Sequence, residues 1–213
     1  MSVDHPFLAV AGNIGSGKTT LTEKLVARLG VRGLFESTAA NPYLSDFYRD
    51  MPRYALPLQL RFLAIRVGET RETQRAGISA VQDRTCYEDA HIFAANLHAR
   101  GAMDARDWET YQILAAQLFD GLAPPDLVVY LHRNSDACRT QIRKRGRDYE
   151  QSMPKGYLED LERRYDDWFE SYRLGPKLVI EGSSYDFLDR PDDLEAVVER
   201  ITRALPQPSL PFG

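Results

Sequence analysis

A five-stranded parallel β-sheet with α-helices on both faces is the α/β fold class that the sequence predicts. Three observations carry it. Five short runs rich in β-branched and other apolar residues alternate with long amphipathic segments, and parallel strands need crossovers of that length. The first run passes through a glycine-rich stretch directly into a helical pattern. No apolar stretch approaches the ~20 residues that span a bilayer, so no segment reads as a membrane helix.

The elements follow in order. The first strand is predicted at 7–11, bounded by Gly12. The next helix, 18–29, sets Leu21, Leu25 and Leu29 on one face and stops at Gly30, a left-handed cap position. A short second strand, 33–36, ends on Glu36. A long helix at 55–75 admits Pro57 only in its first turn. The third strand, 78–82, leads into Asp83, and helices follow at 87–99 and 107–119, the second carrying Trp108, Tyr111, Leu114 and Leu118. Pro124-Pro125 introduces the fourth strand, 127–131, and Ser135 is the expected cap of a helix running to about 145. The helix 157–172 aligns Leu158, Leu161, Tyr165, Trp168 and Phe169, and Gly175-Pro176 precedes the fifth strand, 178–180. The last helix, 192–205, opens with Pro191 and an Asp-x-x-Glu box. Residues 1–205 read as one domain and 206–213, with three prolines, as a loose tail.

Composition excludes several classes. A chain of 213 residues suits one α/β domain better than two. The net charge of −4 weakens a nucleic-acid-binding reading, which normally shows a basic face. Cys86 and Cys138 have neither CxxC pairing nor a histidine spacing suited to zinc, so they read as free thiols in a reducing compartment. With no basic-then-apolar N-terminal pattern, the expectation is a soluble cytoplasmic protein with neither nucleic acid nor membrane as partner.

Residues Gly12, Asn13, Ile14, Gly15, Ser16, Gly17, Lys18 and Thr19 match G-x-x-x-x-G-K-[ST] between a strand and a helix, the context that this P-loop requires, and Thr20 follows in the helix. The glycines let backbone N–H groups turn inward around phosphate oxygens, and the helix N-terminus adds partial positive charge. Lys18 is placed to reach the β- and γ-phosphates of ATP, and the Thr19 hydroxyl to ligate Mg²⁺. Asp83 ends the third strand as a candidate Mg²⁺-side carboxylate. The neighbouring Arg84 is placed to face a transferring phosphoryl group, which points to an enzyme with its acceptor in the same cleft. Arg139, Arg143, Lys144, Arg145 and Arg147 form a dense basic run in an acidic chain. They read as an arginine-rich lid, with Arg145 and Arg147 its working members. Glu36, at the end of a strand, faces the ligand crevice of an open sheet and is a candidate general base for an attacking hydroxyl.

In these motifs the chain resembles the deoxyribonucleoside kinase family, the group with deoxycytidine, deoxyguanosine and deoxyadenosine kinases. The resemblance runs from Phe7 to about Leu188. It rests on the P-loop, Glu36, Phe47-Tyr48, Gln59, Arg66, the Asp83-Arg84-Thr85 triplet and Arg145-Gly146-Arg147 with Glu150-Gln151. It implies a P-loop kinase fold and transfer of the γ-phosphate of ATP to the 5′-hydroxyl of a deoxynucleoside. It also implies roles: Glu36 as base, Gln59 on the base edge, Tyr48 and Glu150 on the 3′-hydroxyl, Phe93 stacked on the base, Arg84 on the 5′-oxygen. Arg66 and Asp89 match a charged pair beside the base in members acting on purine deoxynucleosides or deoxycytidine. Such a pair offers polar partners to exocyclic groups and fills the space of a thymine methyl, so the expectation is deoxyguanosine or deoxyadenosine first, deoxycytidine next and thymidine weakly. A dimer, of this chain or with a related one, is implied as well.

Two departures from the family pattern stand out. Gln141 occupies a position, four before Arg145, where the family often has arginine, and Ser37 to Asn41 lacks the Glu-Pro opening of many members. The alternative is a deoxynucleoside monophosphate kinase of the thymidylate kinase kind. It needs a further cation for the acceptor's phosphate, and Glu36 would repel that phosphate. A switch or assembly NTPase lacks such a lid and triplet.

Overall fold

The computed structural model describes residues 5–35 and 41–206. Its strands, β1 (Phe7–Ala11), β2 (Arg32–Leu34), β3 (Ala80–Asp83), β4 (Leu127–His132) and β5 (Lys177–Glu181), form one sheet in the order β2-β3-β1-β4-β5. Every pairing is parallel, so the strands' carboxyl ends share one edge. Sheet order leaves β1 between β3 and β4. The loop after β1 therefore emerges at the centre of that edge, flanked by the residues that end β3, where open α/β sheets bind ligands.

Alternation along the strands explains the two helical layers. Leu8, Val10, Leu127, Val129 and Leu131 pack with Leu21 and Leu25 of α1 (Lys18–Leu29) and with Val197 and Ile201 of α9 (Pro191–Ala204). Val128 and Tyr130 point to the other side. They join a larger core made by α3 (Met51–Ala76), α6 (Ala105–Phe119) and α8 (Tyr157–Ser171). Period-2 alternation with both faces covered makes the central strands β1 and β4 apolar from Phe7 to Ala11 and from Leu127 to Leu131, and each fully buried Leu or Val adds about 1.5–3 kcal/mol.

Between β3 and α6 the chain makes a short helix α4 (Cys86–Glu88), a π-helical turn (Asp89–Ala94) and α5 (Ala95–Ala99). Such π turns are rare and concentrate at functional sites. A short α2 (Leu44–Phe47), the helix α7 (Ser135–Arg145) and a 3₁₀ turn (Asp148–Ser152) complete the described elements.

Three local expectations are corrected. Pro57 lies inside α3, which begins at Met51, capped by the Asp50 side chain accepting from the Arg53 N–H. The proline removes one helical hydrogen bond, and burial of Ala55, Leu58, Leu63 and Val67 outweighs that loss. Asn134, and not Ser135, caps α7, accepting from the Ala137 N–H. The Asp192-x-x-Glu195 box does not form, because α9 starts at Pro191 with Arg190 in the cap position, and Glu195 is held by Arg28 of α1 through Nε at 2.7 Å and Nη2 at 3.0 Å. Cys86 and Cys138 are free and buried, and burial pushes their thiols up to about 12 and about 11, which leaves them unreactive. Among the described residues no helix is long and apolar enough to cross a membrane. Of the expected tail, 207–213 lies outside the described residues.

Candidate phosphoryl-transfer site

The loop after β1 is shaped by glycines that no other residue replaces. Gly12 has φ +155°, and a Cβ there would lie 2.7 Å from the Leu131 carbonyl oxygen. Gly15 has φ +79°, and a Cβ would lie 2.6 Å from the Cys138 carbonyl oxygen on α7. Both contacts are below any real Cβ approach, and both backbones disfavour L side chains. Gly15→Ala is expected to lower activity more than tenfold by displacing the loop, an estimate from the cost of ångström-scale misplacement. A steady-state assay beside a melting curve checks it.

Gly17 begins α1 in the left-handed conformation, which turns the first N–H groups of the helix toward the loop. Lys18 is 6 % exposed, and its Nζ donates to the Asn13 carbonyl at 2.8 Å, arching over the loop. The Asn13 side chain donates to the Leu158 carbonyl at 2.9 Å, tying the loop to α8.

Two oxygen ligands meet beside this loop. Thr19 Oγ1 donates to Asp83 Oδ2 at 2.6 Å. Asp83 Oδ1 is buried with no hydrogen-bond partner among the described residues. An orphaned carboxylate oxygen next to a hydroxyl is a donor set suited to a small hard cation.

Arg84 follows with φ +73°, the left-handed region, unusual for a residue with a long side chain. That conformation costs about 1–3 kcal/mol and persists only where the surroundings hold it. Several contacts do. The Arg84 N–H donates to the Val10 carbonyl at 3.0 Å. Arg66 Nη1 donates to the carbonyls of Asp83 (3.1 Å) and Arg84 (3.3 Å). The result directs the guanidinium over the Phe93 ring, 4.0 Å from its centroid.

One cavity of about 140 Å³ runs from the phosphate loop to the helices beyond it. Ile14, Gly15, Lys18 and Thr19 line one end, with Asp83 and Arg84. Tyr48, Gln59, Asp89 and Phe93 line the other, and Arg145, Arg147 and Glu150 close it from above. Residues predicted from distant stretches of sequence thus share one wall. Gln59 Oε1 is buried without a hydrogen-bond partner among the described residues. Asp89 and Phe93, four apart on the π turn, face the cavity together.

Arg66 lies behind this wall and not in it. It holds Asp89 through Nε at 2.7 Å and Nη2 at 3.4 Å, both side chains being buried. Glu150 carries the lid. Arg145 Nη2 reaches its Oε1 at 2.6 Å, Arg145 Nε its Oε2 at 3.3 Å, and Arg147 stands 3.7 Å away. Arg139 pairs with Glu159 on α8, while Arg143 and Lys144 face solvent, so neither Arg139 nor Arg143 lines the cavity. Glu36 lies outside the described residues, and so do 37–40.

The deoxynucleoside kinase model matches residues 8–206. The chain belongs to the deoxynucleoside kinase family. It is 36% identical over 204 residues to a deoxyadenosine/deoxycytidine kinase of Bacillus subtilis, covering 94% of each chain. It is 35% identical over 207 residues to a deoxyguanosine kinase of Lactobacillus acidophilus, covering 93% of this chain and 90% of that one. A deoxyadenosine kinase from M. mycoides, solved with bound dATP, superposes with a TM-score of 0.80 at 24% identity, over 93% of this chain and 100% of that one, a likeness of fold. The match covers strands, phosphate loop and lid together, as expected of an ATP-dependent kinase and not of a switch or assembly NTPase.

For this deoxynucleoside kinase the sequence leaves three residues unmarked, Tyr149 and Tyr157 in the cavity and Glu88 behind the phosphate loop. Tyr157, the first residue of α8, lines the cavity, and burial pushes its phenol up to about 12. Burial also raises Tyr48 well above its ordinary value, with Tyr157 and Glu150 adding to it. Both phenols keep their protons at neutral pH and remain hydrogen-bond donors. Tyr149 stacks on Tyr48 with ring centroids 6.2 Å apart. Tyr157 sits on a helix face whose other members are core residues, so periodicity does not separate it from them. The third, Glu88, is fully buried. Its signal in the sequence is the Thr-x-x-Glu spacing at 85–88, a capping box.

Proposed function

We propose that this chain transfers the γ-phosphate of ATP to the 5′-hydroxyl of a deoxynucleoside, with purines preferred. The single observation that supports it is the shared cavity: the phosphate loop at one end, Gln59, Asp89 and Phe93 at the other. A base at the far end places a sugar between Tyr48 and Glu150 and its 5′-oxygen beside Arg84. Phe93 lends its ring to the base. The neutral Tyr48 phenol donates to the 3′-oxygen while Glu150 accepts from it. Glu36 takes the hydroxyl proton as the 5′-oxygen attacks phosphorus. Lys18, Arg84, Arg145 and Arg147 offset the negative charge on the transferring group, and the loop of Gly12 to Thr20 cradles the donor phosphates. Arg145 and Arg147 leave Glu150 for that task, and the acceptor's hydroxyl takes their place on its carboxylate.

Thr19 and Asp83 fit Mg²⁺, since both offer hard oxygens and Asp83 Oδ1 has no competing hydrogen bond among the described residues. When bound there, Mg²⁺ neutralises charge on the donor phosphates. A single domain over 1–205, a dimeric assembly and a cytoplasmic location complete the reading.

Base preference follows from the wall. Asp89 is ion-paired with Arg66 and turns oxygen acceptors to the cavity, as Gln59 Oε1 does. Adenine, guanine and cytosine offer N–H donors to them, whereas thymine turns a carbonyl and a methyl to that edge. The test is a Mg-ATP assay against deoxyadenosine, deoxyguanosine, deoxycytidine, thymidine and the matching monophosphates. Purine turnover first, deoxycytidine next and none on monophosphates is expected. Turnover on a monophosphate alone would return the reaction to the monophosphate kinase class. Asp89→Asn is expected to cut kcat/KM for the preferred purine by about 10- to 100-fold and to narrow its margin over thymidine. An unchanged margin counts against Asp89 as a reader of the base.

A further inference from the structure

Glu88 does not line the cavity, yet its carboxylate is 0 % exposed and fully engaged. Its Oε2 accepts from the Thr85 N–H at 2.7 Å and from Thr85 Oγ1 at 3.1 Å. Its Oε1 accepts from the Tyr165 hydroxyl at 2.8 Å and from the Gly12 N–H at 3.3 Å. One side chain thus joins the first residue of the phosphate loop, the residue after Arg84 and the helix α8. The peptide groups around Arg84 are held from both directions. Arg66 takes the carbonyls of Asp83 and Arg84, and Glu88 takes the following N–H. A left-handed arginine needs such over-determination to stay in place.

We infer that Glu88 is a positioning residue: it clamps the left-handed backbone of Arg84 to the phosphate loop, so that the guanidinium enters the cavity beside the donor phosphates in one geometry. The capping box with Thr85 starts α4, and the same carboxylate sets how far the Asp83-Arg84-Thr85 turn stands from Gly12. Tyr48, at the end of α2, and Gln59, on α3, stand away from the clamp, so the wall they form does not depend on Glu88. The loss therefore falls on kcat and not on acceptor KM. The inference rests on Arg84 acting on the transferring phosphoryl group, so the test carries an arm for that.

Glu88→Ala, Glu88→Gln, Tyr165→Phe and Arg84→Lys are assayed on the preferred deoxynucleoside, with kcat, both KM values and the melting temperature read for each. Ångström-scale displacement of a reacting group costs about 100-fold, so kcat of Glu88→Ala is expected to fall about that far with acceptor KM within threefold of wild type. Glu88→Gln, whose amide oxygen accepts on one side only, is expected to fall about tenfold, and it carries the test if the alanine variant does not fold. Tyr165→Phe removes a hydrogen bond of Glu88 without touching the turn, so it is expected to melt lower while keeping kcat within about threefold. Wild-type kcat in both Glu88 variants, or a kcat loss in Tyr165→Phe equal to theirs, overturns the inference. Arg84→Lys separates the two levels. Its failure with active Glu88 variants sinks the positioning role alone, and full activity in Arg84→Lys removes the role of Arg84 on which it rests.

Discussion

Lys18→Ala is expected to lower kcat by on the order of 1000-fold while the protein folds as before, the scale on which a charge-stabilising contact in a dry site acts. The side chain is buried over the phosphate loop, with Nζ on the Asn13 carbonyl, so its ammonium lies where a γ-phosphate would gather charge. Alanine is the strongest helix former, and the position opens α1, so the helix itself is not weakened. The Asn13 carbonyl loses a donor and gains access to water in the opened loop. A coupled assay at saturating ATP and acceptor measures the first effect, and a thermal melt the second. Activity within tenfold of wild type would remove the phosphate-loop reading. A melting point lower by tens of degrees would turn the loss into a folding effect.

Asp83→Asn is expected to be nearly as severe, about 100-fold in kcat, with a higher Mg²⁺ concentration needed for half-maximal rate. The amide keeps the shape and the contact with Thr19 Oγ1 but supplies a single neutral oxygen. The folded protein is expected to melt no lower than wild type. A buried carboxylate oxygen without a hydrogen bond opposes folding, and the amide relieves that cost. Titration of activity against Mg²⁺ decides it: superimposable curves for the two proteins would take Asp83 out of the metal site.

Much of this site is legible in the amino-acid sequence. The phosphate loop is read from eight adjacent residues whose types are dictated by the turn they make. Tyr48, Gln59, Asp89, Phe93 and Glu150 were marked by the family likeness, and the structure sets all of them on one cavity. The strands were read nearly to their ends, because an apolar run bounded by glycine, proline or aspartate is a local signal. Helix starts were read less well. Asn134 caps α7 one residue before the expected Ser135, since either residue suits a cap and only the chain's exit from β4 selects between them. Pro57 misled for a related reason. Proline's cost inside a helix is local, and the burial that overrides it is not.

Partnership was the least legible property. Arg66 and Asp89 were marked as a pair, but that Arg66 stands behind the wall and also holds the backbone around Arg84 follows from how α3 crosses the end of β3. The lid arginines were marked as a basic run, yet Arg139 belongs to Glu159 and Arg145 to Glu150. Helical phase sorts side chains onto faces without naming what each face meets.

The parallel sheet, the phosphate cradle and the order in which the chemical groups arrive are written in the chain itself, because each rests on periodicity or on the conformational limits of a few neighbouring residues. The tertiary structure alone decided which groups are held by which. The bonds from Glu88 to Gly12 and Tyr165 join residues 76 and 77 positions apart in the chain. The left-handed Arg84 is held by groups from β1, α3 and α4. Such a backbone is unfavourable in isolation, and no local signal announces it. It exists because packing of the sheet and helices brings donors and acceptors to it, and that convergence belongs to the whole fold.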